Sequence, residues 1–279
     1  MNAGLHELPL IFFTVLAQSA VGAFLVFTFV LLQSQNDKSR RYIHRVMFVV
    51  LVLLGLGFVA SILHLGSPLR AFNSLNRVGA SMLSNEIASG AVFFVLAGLY
   101  WLIAILDKMP AALGKLWLIV TSVVGLVFMY MMAHVYFLAT VPTWHSALTP
   151  LAFYLTVVVG GLALGYALLE PNSAKTYHLS WVKGLYAIGV LLIAICVVYQ
   201  GASLGQIHSS VQQAAALVPD YAPMMVLRLC LLGIAAVLLA KSKNAAVLLL
   251  AVVLTFAGEL IGRTLFYGLH MTVGMAVGG

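Results

Sequence analysis

Eight stretches of nearly unbroken apolar residues, each close to 20 long and separated by short polar breaks, leave this chain the least freedom. In hydrocarbon every backbone N–H and C=O must be satisfied within the segment, so a run of about 20 such residues spans a bilayer as a helix. The runs start near Leu8, Val46, Glu86, Leu116, Leu148, Trp181, Tyr221 and Ala245, and end near Leu32, Leu63, Leu106, Ala139, Leu169, Leu204, Ala240 and Leu269. The breaks are polar or rich in Pro, Gly, Ser and Asn, as turns require. Composition closes the alternatives: 63% of residues are apolar and 8% charged, where a soluble domain carries about 25% charged. A water-soluble enzyme, a nucleic-acid module and a disordered tail are excluded together. The expectation is an all-α polytopic bundle of eight transmembrane helices, one integral-membrane domain over residues 1–279, with no convincing internal repeat. The amino terminus lacks the basic n-region of a secretory signal, so its apolar run counts as the first span.

Net charge is +7, from 14 basic and 7 acidic residues. Ten of the basic residues fall in the first, third, fifth and seventh connections: Lys38, Arg40, Arg41, Arg45, Lys108, Lys115, Lys175, Lys183, Lys241 and Lys243. Arg70, Arg77 and Arg228 are assigned to the opposite side and Arg263 to the eighth span. Basic loops stay cytoplasmic, which places the odd connections in the cytoplasm and both termini outside, on the periplasmic side. The outer connections, Leu65 to Asn85 and Gly205 to Asp220, are longer and more polar, and Ser209 to Leu217 reads as a short surface helix. Six of the eight histidines, His6, His64, His134, His145, His208 and His270, lie in or near that outer half. Chemistry is expected there.

The polar residues are few enough to weigh singly. His64, where the second span meets the outer loop, can exchange a proton at physiological pH and hydrogen-bond a quinone or quinol oxygen; the alternative is a helix-capping interfacial histidine. Glu86 follows Ser84-Asn85 and opens the third span, either as a carboxylate complementing a helix amino terminus or as a proton acceptor at the membrane edge. Glu259 and Arg263 stand four apart on one face of the eighth span, an arrangement that reads as mutual neutralisation or as a proton path. Arg70 and Arg77 read as a solvated loop, a partner-docking surface or a site for lipid phosphate. Cys196 and Cys230 lie in apolar runs with no cluster spacing, and His134 has no histidine partner at its depth, so the protein is expected to hold no metal, haem or iron–sulfur cluster of its own.

Longer segments are more specific. The run His64-Leu-Gly-Ser-Pro-Leu-Arg-Ala-Phe-Asn-Ser-Leu-Asn-Arg-Val-Gly-Ala-Ser-Met-Leu-Ser-Asn-Glu86, the segment Ile207 to Tyr221, and Gly258-Glu-Leu-Ile-Gly-Arg continuing to Met275 resemble the membrane anchor subunit of anaerobic dimethyl sulfoxide reductases. The resemblance runs the full length, weakest at Gln33 to Arg45 and around Pro171 to Ser180. It implies an anchor that binds menaquinol as substrate, oxidises it and passes two electrons to a four-cluster iron–sulfur subunit, which feeds a molybdopterin catalytic subunit. Within it the family's quinol-site histidine matches His64 and its nearby acidic residue matches Glu86; Arg70, on the segment between them, joins the quinol-binding set. The expected partners are therefore those two subunits and membrane lipid, with no nucleic acid, and the terminal acceptor is chosen in another subunit. A secondary transporter or proton-conducting protein using Glu86, Glu259 and Arg263 as relay groups is the alternative from a different class.

Overall fold

The computed structural model describes residues 2–33, 36–64, 73, 75–208 and 213–271, the side chains of residues 2, 3 and 64 excepted. Its eight long helices are α1 (Leu8–Gln33), α2 (Asp37–His64), α3 (Met82–Ile105), α4 (Ala111–Val135), α5 (Leu148–Leu169), α6 (Ser180–Leu204), α7 (Tyr221–Lys241) and α8 (Ala245–Gly268). All eight are long and apolar enough to cross a membrane, and no β-strand occurs among the described residues.

The helices depart from the apolar runs mainly at their polar ends. α2 begins at Asp37, a full two turns before the apolar run at Val46, because Asp37 in the first turn suits the helix amino terminus and the arginines that follow can reach the aqueous edge. α4 stops at Val135, four residues before Ala139. Beyond it the backbone turns back so that Trp144 Nε1 donates to Phe266 O at 2.9 Å and Thr143 Oγ1 donates to Leu269 O. Of the expected surface helix only Ala214–Leu217 is helical among the described residues, residues 209–212 lying outside them. A short helix not foreseen from sequence, Asn2–Leu5, packs on α8.

Helix contacts divide the molecule into two closed rings of four. In the first, α1 touches α2, α2 touches α3, α3 touches α4, and α4 returns to α1; α5 to α8 repeat the same circuit. The rings join through α1 against α5, flanked on one side by α1 with α8 and on the other by α4 with α5. This is the contact pattern of a parallel internal repeat. The sequence hides it because helix faces packed in a membrane tolerate many apolar residues at each position.

Close approach at the α1–α5 seam needs glycine. A Cβ on Gly161 would lie 2.4 Å from the Gly22 backbone, and one on Gly22 would meet the Val157 carbonyl. Small residues at a crossing let backbones touch, which gains dispersion contacts that lipid does not match. At the basic end of the bundle a polar clasp ties the loops: Asn172 Nδ2 donates to Ser39 Oγ at 3.0 Å and to Tyr177 Oη at 3.2 Å, and Tyr42 Oη donates to Leu168 O at 3.0 Å. Burial at this clasp pushes the Tyr177 phenol up to about 12.

Candidate functional site

The halves of the helices opposite the basic end hold most of the charge buried in the bundle. Glu86 lies on the fifth residue of α3, not on its first: the helix starts at Met82, with Ser81 as its N-cap. Serving the helix terminus is therefore not its main job. Its side chain is only 3% exposed, and Oε1 has no hydrogen-bond partner. An unpaired carboxyl oxygen away from water costs on the order of 1–3 kcal/mol, so a persistent one marks a place where a donor belongs.

α2 and α3 pack against each other, and His64 ends α2 at the same face of the membrane from which α3 sets out. The His64 side chain lies outside the described residues, as does Arg70. Just past the end of α4, the Tyr136 phenol accepts from Tyr267 Oη at 2.6 Å. Burial first, then the neighbouring Tyr267 and Glu86, push Tyr136 well above the ordinary phenol range. The hydrogen bond between the two phenols joins the end of α4 to α8.

In the second ring the charges are arranged otherwise than the sequence suggested. Glu259 does not pair directly with Arg263. Its carboxylate takes both hydrogen bonds from Arg228 Nη2, at 3.0 and 3.1 Å, and a third from Thr156 Oγ1 at 2.6 Å. Arg228, placed in an outer loop from sequence, is the eighth residue of α7 and only 7% exposed. Arg263, four residues on from Glu259, donates from Nη2 to Gln18 Oε1 at 2.7 Å and to Thr156 Oγ1 at 3.2 Å, and its guanidinium lies 3.6 Å from the centroid of the Phe153 ring. Gln18 in turn donates to Phe153 O at 2.9 Å. The shared helical face was real, but helix α7 supplies the neutralising cation and the Thr156 hydroxyl is what joins Arg263 to Glu259.

This network explains how the two rings are locked, since Gln18 is on α1, Thr156 on α5, Arg228 on α7 and Arg263 on α8. Alongside it sits a cavity of about 30 Å³ bounded by Thr149, Thr156, Arg228, Glu259 and Arg263 among others. Arg228 Nε, buried without a partner, points to a donor still to be satisfied there. Sequence reasoning missed Gln18, Thr156 and the tyrosine pair. Gln18, a lone amide in an otherwise apolar run, was the one available signal.

The remaining histidines divide simply. His134 Nδ1 lies 2.8 Å from Tyr130 O of its own helix, its ring against that of Tyr130. His145, His208 and His270 are exposed. His44, which drew no attention in the sequence, is 6% exposed and lies 3.4 Å from Tyr100 Oη at the basic end. No cluster of three or more His, Cys, Asp or Glu side chains suited to a metal occurs among the described residues.

Comparison with known proteins gives this arrangement a family. The protein is similar over its whole length to the C subunit of the anaerobic dimethyl sulfoxide reductase of Haemophilus influenzae, at 64% identity over 279 residues covering 100% of both sequences. It is also similar to two Escherichia coli proteins, the YnfH subunit of an anaerobic dimethyl sulfoxide reductase, at 49% identity with all of both sequences covered, and the C subunit of another, at 50% identity with 99% of each covered. Among solved structures, the bd oxidase of Geobacillus thermodenitrificans shares the fold: TM-score 0.63 at 14% identity, covering 95% of this protein and 85% of that one. The model of the DMSO reductase anchor subunit (DmsC) family matches residues 1–269, and with eight spanning helices to agree with it, the protein belongs to that family as a multi-pass inner-membrane protein.

Proposed function

We propose that the protein oxidises menaquinol at the outer ends of α2 and α3 and passes two electrons to an iron–sulfur subunit, which supplies a molybdopterin subunit that reduces the terminal acceptor. The observation that carries this reading is the buried Glu86 carboxyl with Oε1 unpartnered, one helix packing away from the α2 end where His64 sits. The dimethyl sulfoxide reductase subunits to which the protein is similar support it.

Loss of two electrons from a quinol releases two protons. A base hydrogen-bonded to the quinol hydroxyl accepts the proton as positive charge develops, which lowers the barrier to electron loss. An imidazole, with a solution pKa of about 6.5, is the side chain suited to that task, and His64 is the candidate. Glu86 takes the second role, accepting from a quinol hydroxyl or carrying the proton onward to the outer aqueous phase. Arg70, in the connection between the two helices, would hold the head group from the loop side. The bound quinol is substrate; the redox centre that receives its electrons belongs to the partner.

Substitution tests the assignment. His64→Ala is expected to leave the complex assembled and active with a soluble electron donor, and to abolish quinol-dependent turnover. Glu86→Gln should slow quinol turnover less completely, because the amide keeps the shape and loses the charge. Quinol-dependent rates in His64→Ala near those of the unaltered protein would remove His64 from the mechanism. Ion or solute movement by the protein without partner subunits would favour a transporter instead.

A further inference from the structure

A second built feature lies at the opposite, basic end of the first ring. α3 closes there in a Schellman turn: Lys108 N donates to Ile103 O at 3.0 Å and Asp107 N to Ala104 O at 3.1 Å, with Asp107 in the left-handed region at φ 56°. Glycine is the usual residue at that position, and an aspartate there is strained. The turn holds the Asp107 carboxylate against Arg41, at 3.1 Å. Beside this pair lies a cleft of about 340 Å³ between α2 and the α3–α4 turn, lined by Asp37, Arg40, Arg41, His44, Asp107 and Met109. A smaller lobe of about 140 Å³ adds Arg45 to Arg41, His44 and Asp107. The larger volume falls in the range of about 300–1,000 Å³ typical of small-molecule sites. Cleft and lobe together carry three arginines, Arg40, Arg41 and Arg45, against two carboxylates, Asp37 and Asp107, and Asp107 is already engaged by Arg41.

Directly membrane-ward, between the same two helices, runs an apolar groove of about 390 Å³ lined by Phe48, Val52, Gly55, Phe94, Gly98 and Leu102 among others. Their linings lie on the same helix faces: positions 41, 45, 48, 52 and 55 of α2 follow the i, i+4, i+7 spacing of one stripe, as do 94, 98, 101 and 105 of α3. At 1.5 Å per residue the stripe from Arg41 to Gly55 is about 21 Å long. Trp101, stacked on Phe48 with ring centroids 5.0 Å apart, sits at the junction and donates from Nε1 to the His44 carbonyl. Gly98 keeps the groove open, since a Cβ there would meet nothing within 4 Å.

A guanidinium-lined pocket at the membrane edge, in line with an apolar groove along the same two helices, has the chemistry of one molecule, a phospholipid with an anionic head group. We propose that this is a specific site for an anionic phospholipid, its phosphate held by Arg40 and Arg45 beside the Arg41–Asp107 pair and one acyl tail lying in the groove past Trp101 and Gly98. Basic pockets between membrane helices recognise such head groups electrostatically, and the groove adds the apolar area that a free anion does not use. The site is on the basic face, away from Glu86 and His64, so it is independent of quinol oxidation.

The test uses the full-length protein purified in non-ionic detergent and in phosphatidylcholine nanodiscs. Native mass spectrometry is expected to show a retained phosphatidylglycerol or cardiolipin, and doping the nanodiscs with phosphatidylglycerol should raise the melting temperature above that in phosphatidylcholine alone. Arg40→Gln with Arg45→Gln should weaken retention by about fivefold per arginine removed. Gly98→Leu starts a side chain into the groove from a Cβ that meets nothing within 4 Å, so it should also reduce retention while leaving the melting temperature in pure phosphatidylcholine unchanged. If the arginine double variant fails to fold, Gly98→Leu still decides: retention equal to that of the unaltered protein overturns the lipid site. Inorganic phosphate reproducing the full stabilisation in pure phosphatidylcholine, with Gly98→Leu silent, would show an anion pocket and overturn the lipid assignment.

Discussion

At the scale of single residues, the buried charges of the second ring are where geometry changes the chemical reading most. Spacing within α8 made Arg263 the natural counter-ion of Glu259, yet Arg228 from α7 makes the ion pair and Arg263 is held by Gln18, Thr156 and the Phe153 ring. The distinction is testable because a buried carboxylate left without its cation is strongly destabilising, by about 3–5 kcal/mol, whereas replacing both partners by apolar residues of similar size is often close to neutral. Removing the cation alone with Arg228→Met, or the anion alone with Glu259→Leu, should each lower the yield and melting temperature of folded protein. The Arg228→Met, Glu259→Leu double variant should recover most of the loss. Combining Glu259→Leu with Arg263→Met should not, because it strips Gln18 and Thr156 of their donor and leaves Arg228 buried alone. Recovery in that second double variant, and none in the first, would restore the within-helix pair. Glu86 is the contrasting case: its position in the sequence was plain, but only packing shows that it is buried and that one of its oxygens lacks a partner.

At the scale of helices, lipid rather than water surrounds the bundle, so apolar strength does not sort inside from outside. α2 is the most apolar of the eight by hydropathy and yet among the least buried, while α1 and α5 bury most of their length. What distinguishes the two central helices is size and polarity at the contact: Ser19, Gly22, Gly160 and Gly161 at the seam, with Gln18 and Thr156 beside them. Gly161→Leu should therefore abolish folding, since even its Cβ would stand 2.4 Å from the Gly22 backbone and neither helix backbone can yield far without breaking the seam. Gly184→Leu, on a helix face where a Cβ meets nothing within 4 Å, should be tolerated. Folded yield and melting temperature in detergent distinguish the two; equal tolerance would mean that α1 and α5 are not in backbone contact. The ends of the helices follow polar chemistry more closely, as at α8, where the Asn244 side chain accepts from Ala246 N at 2.9 Å and Val247 N at 3.3 Å and so caps the helix.

At the scale of the whole molecule, orientation rests on charge. With Arg228 buried inside α7 the connections on the side opposite the ten basic residues retain Arg70 and Arg77 alone, which sharpens the asymmetry from which the basic end is expected to be cytoplasmic. A reporter fused after Gly279 should accordingly behave as periplasmic and one inserted in the α5–α6 connection as cytoplasmic; the reverse pattern would invert the molecule and move the candidate quinol site to the other face. The sequence by itself determined the number of spans and most of their ends to within a few residues, because runs of about 20 apolar residues have one stable backbone in a bilayer. It also determined the family, through long matched segments around His64 to Glu86 and Gly258 to Arg263, and it drew attention to the outer face. Tertiary structure alone decided which helices lie at the centre, that the eight divide into two like rings, that Arg228 rather than Arg263 neutralises Glu259, and that His44, Arg40 and Arg41 line a cleft at the basic end. The reason is common to all four. Hydrophobicity fixes how a segment meets the membrane, but in lipid it exerts little preference between one apolar helix face and another, so the pairing of helices is set by shape and by a few polar side chains whose partners are far away in the sequence.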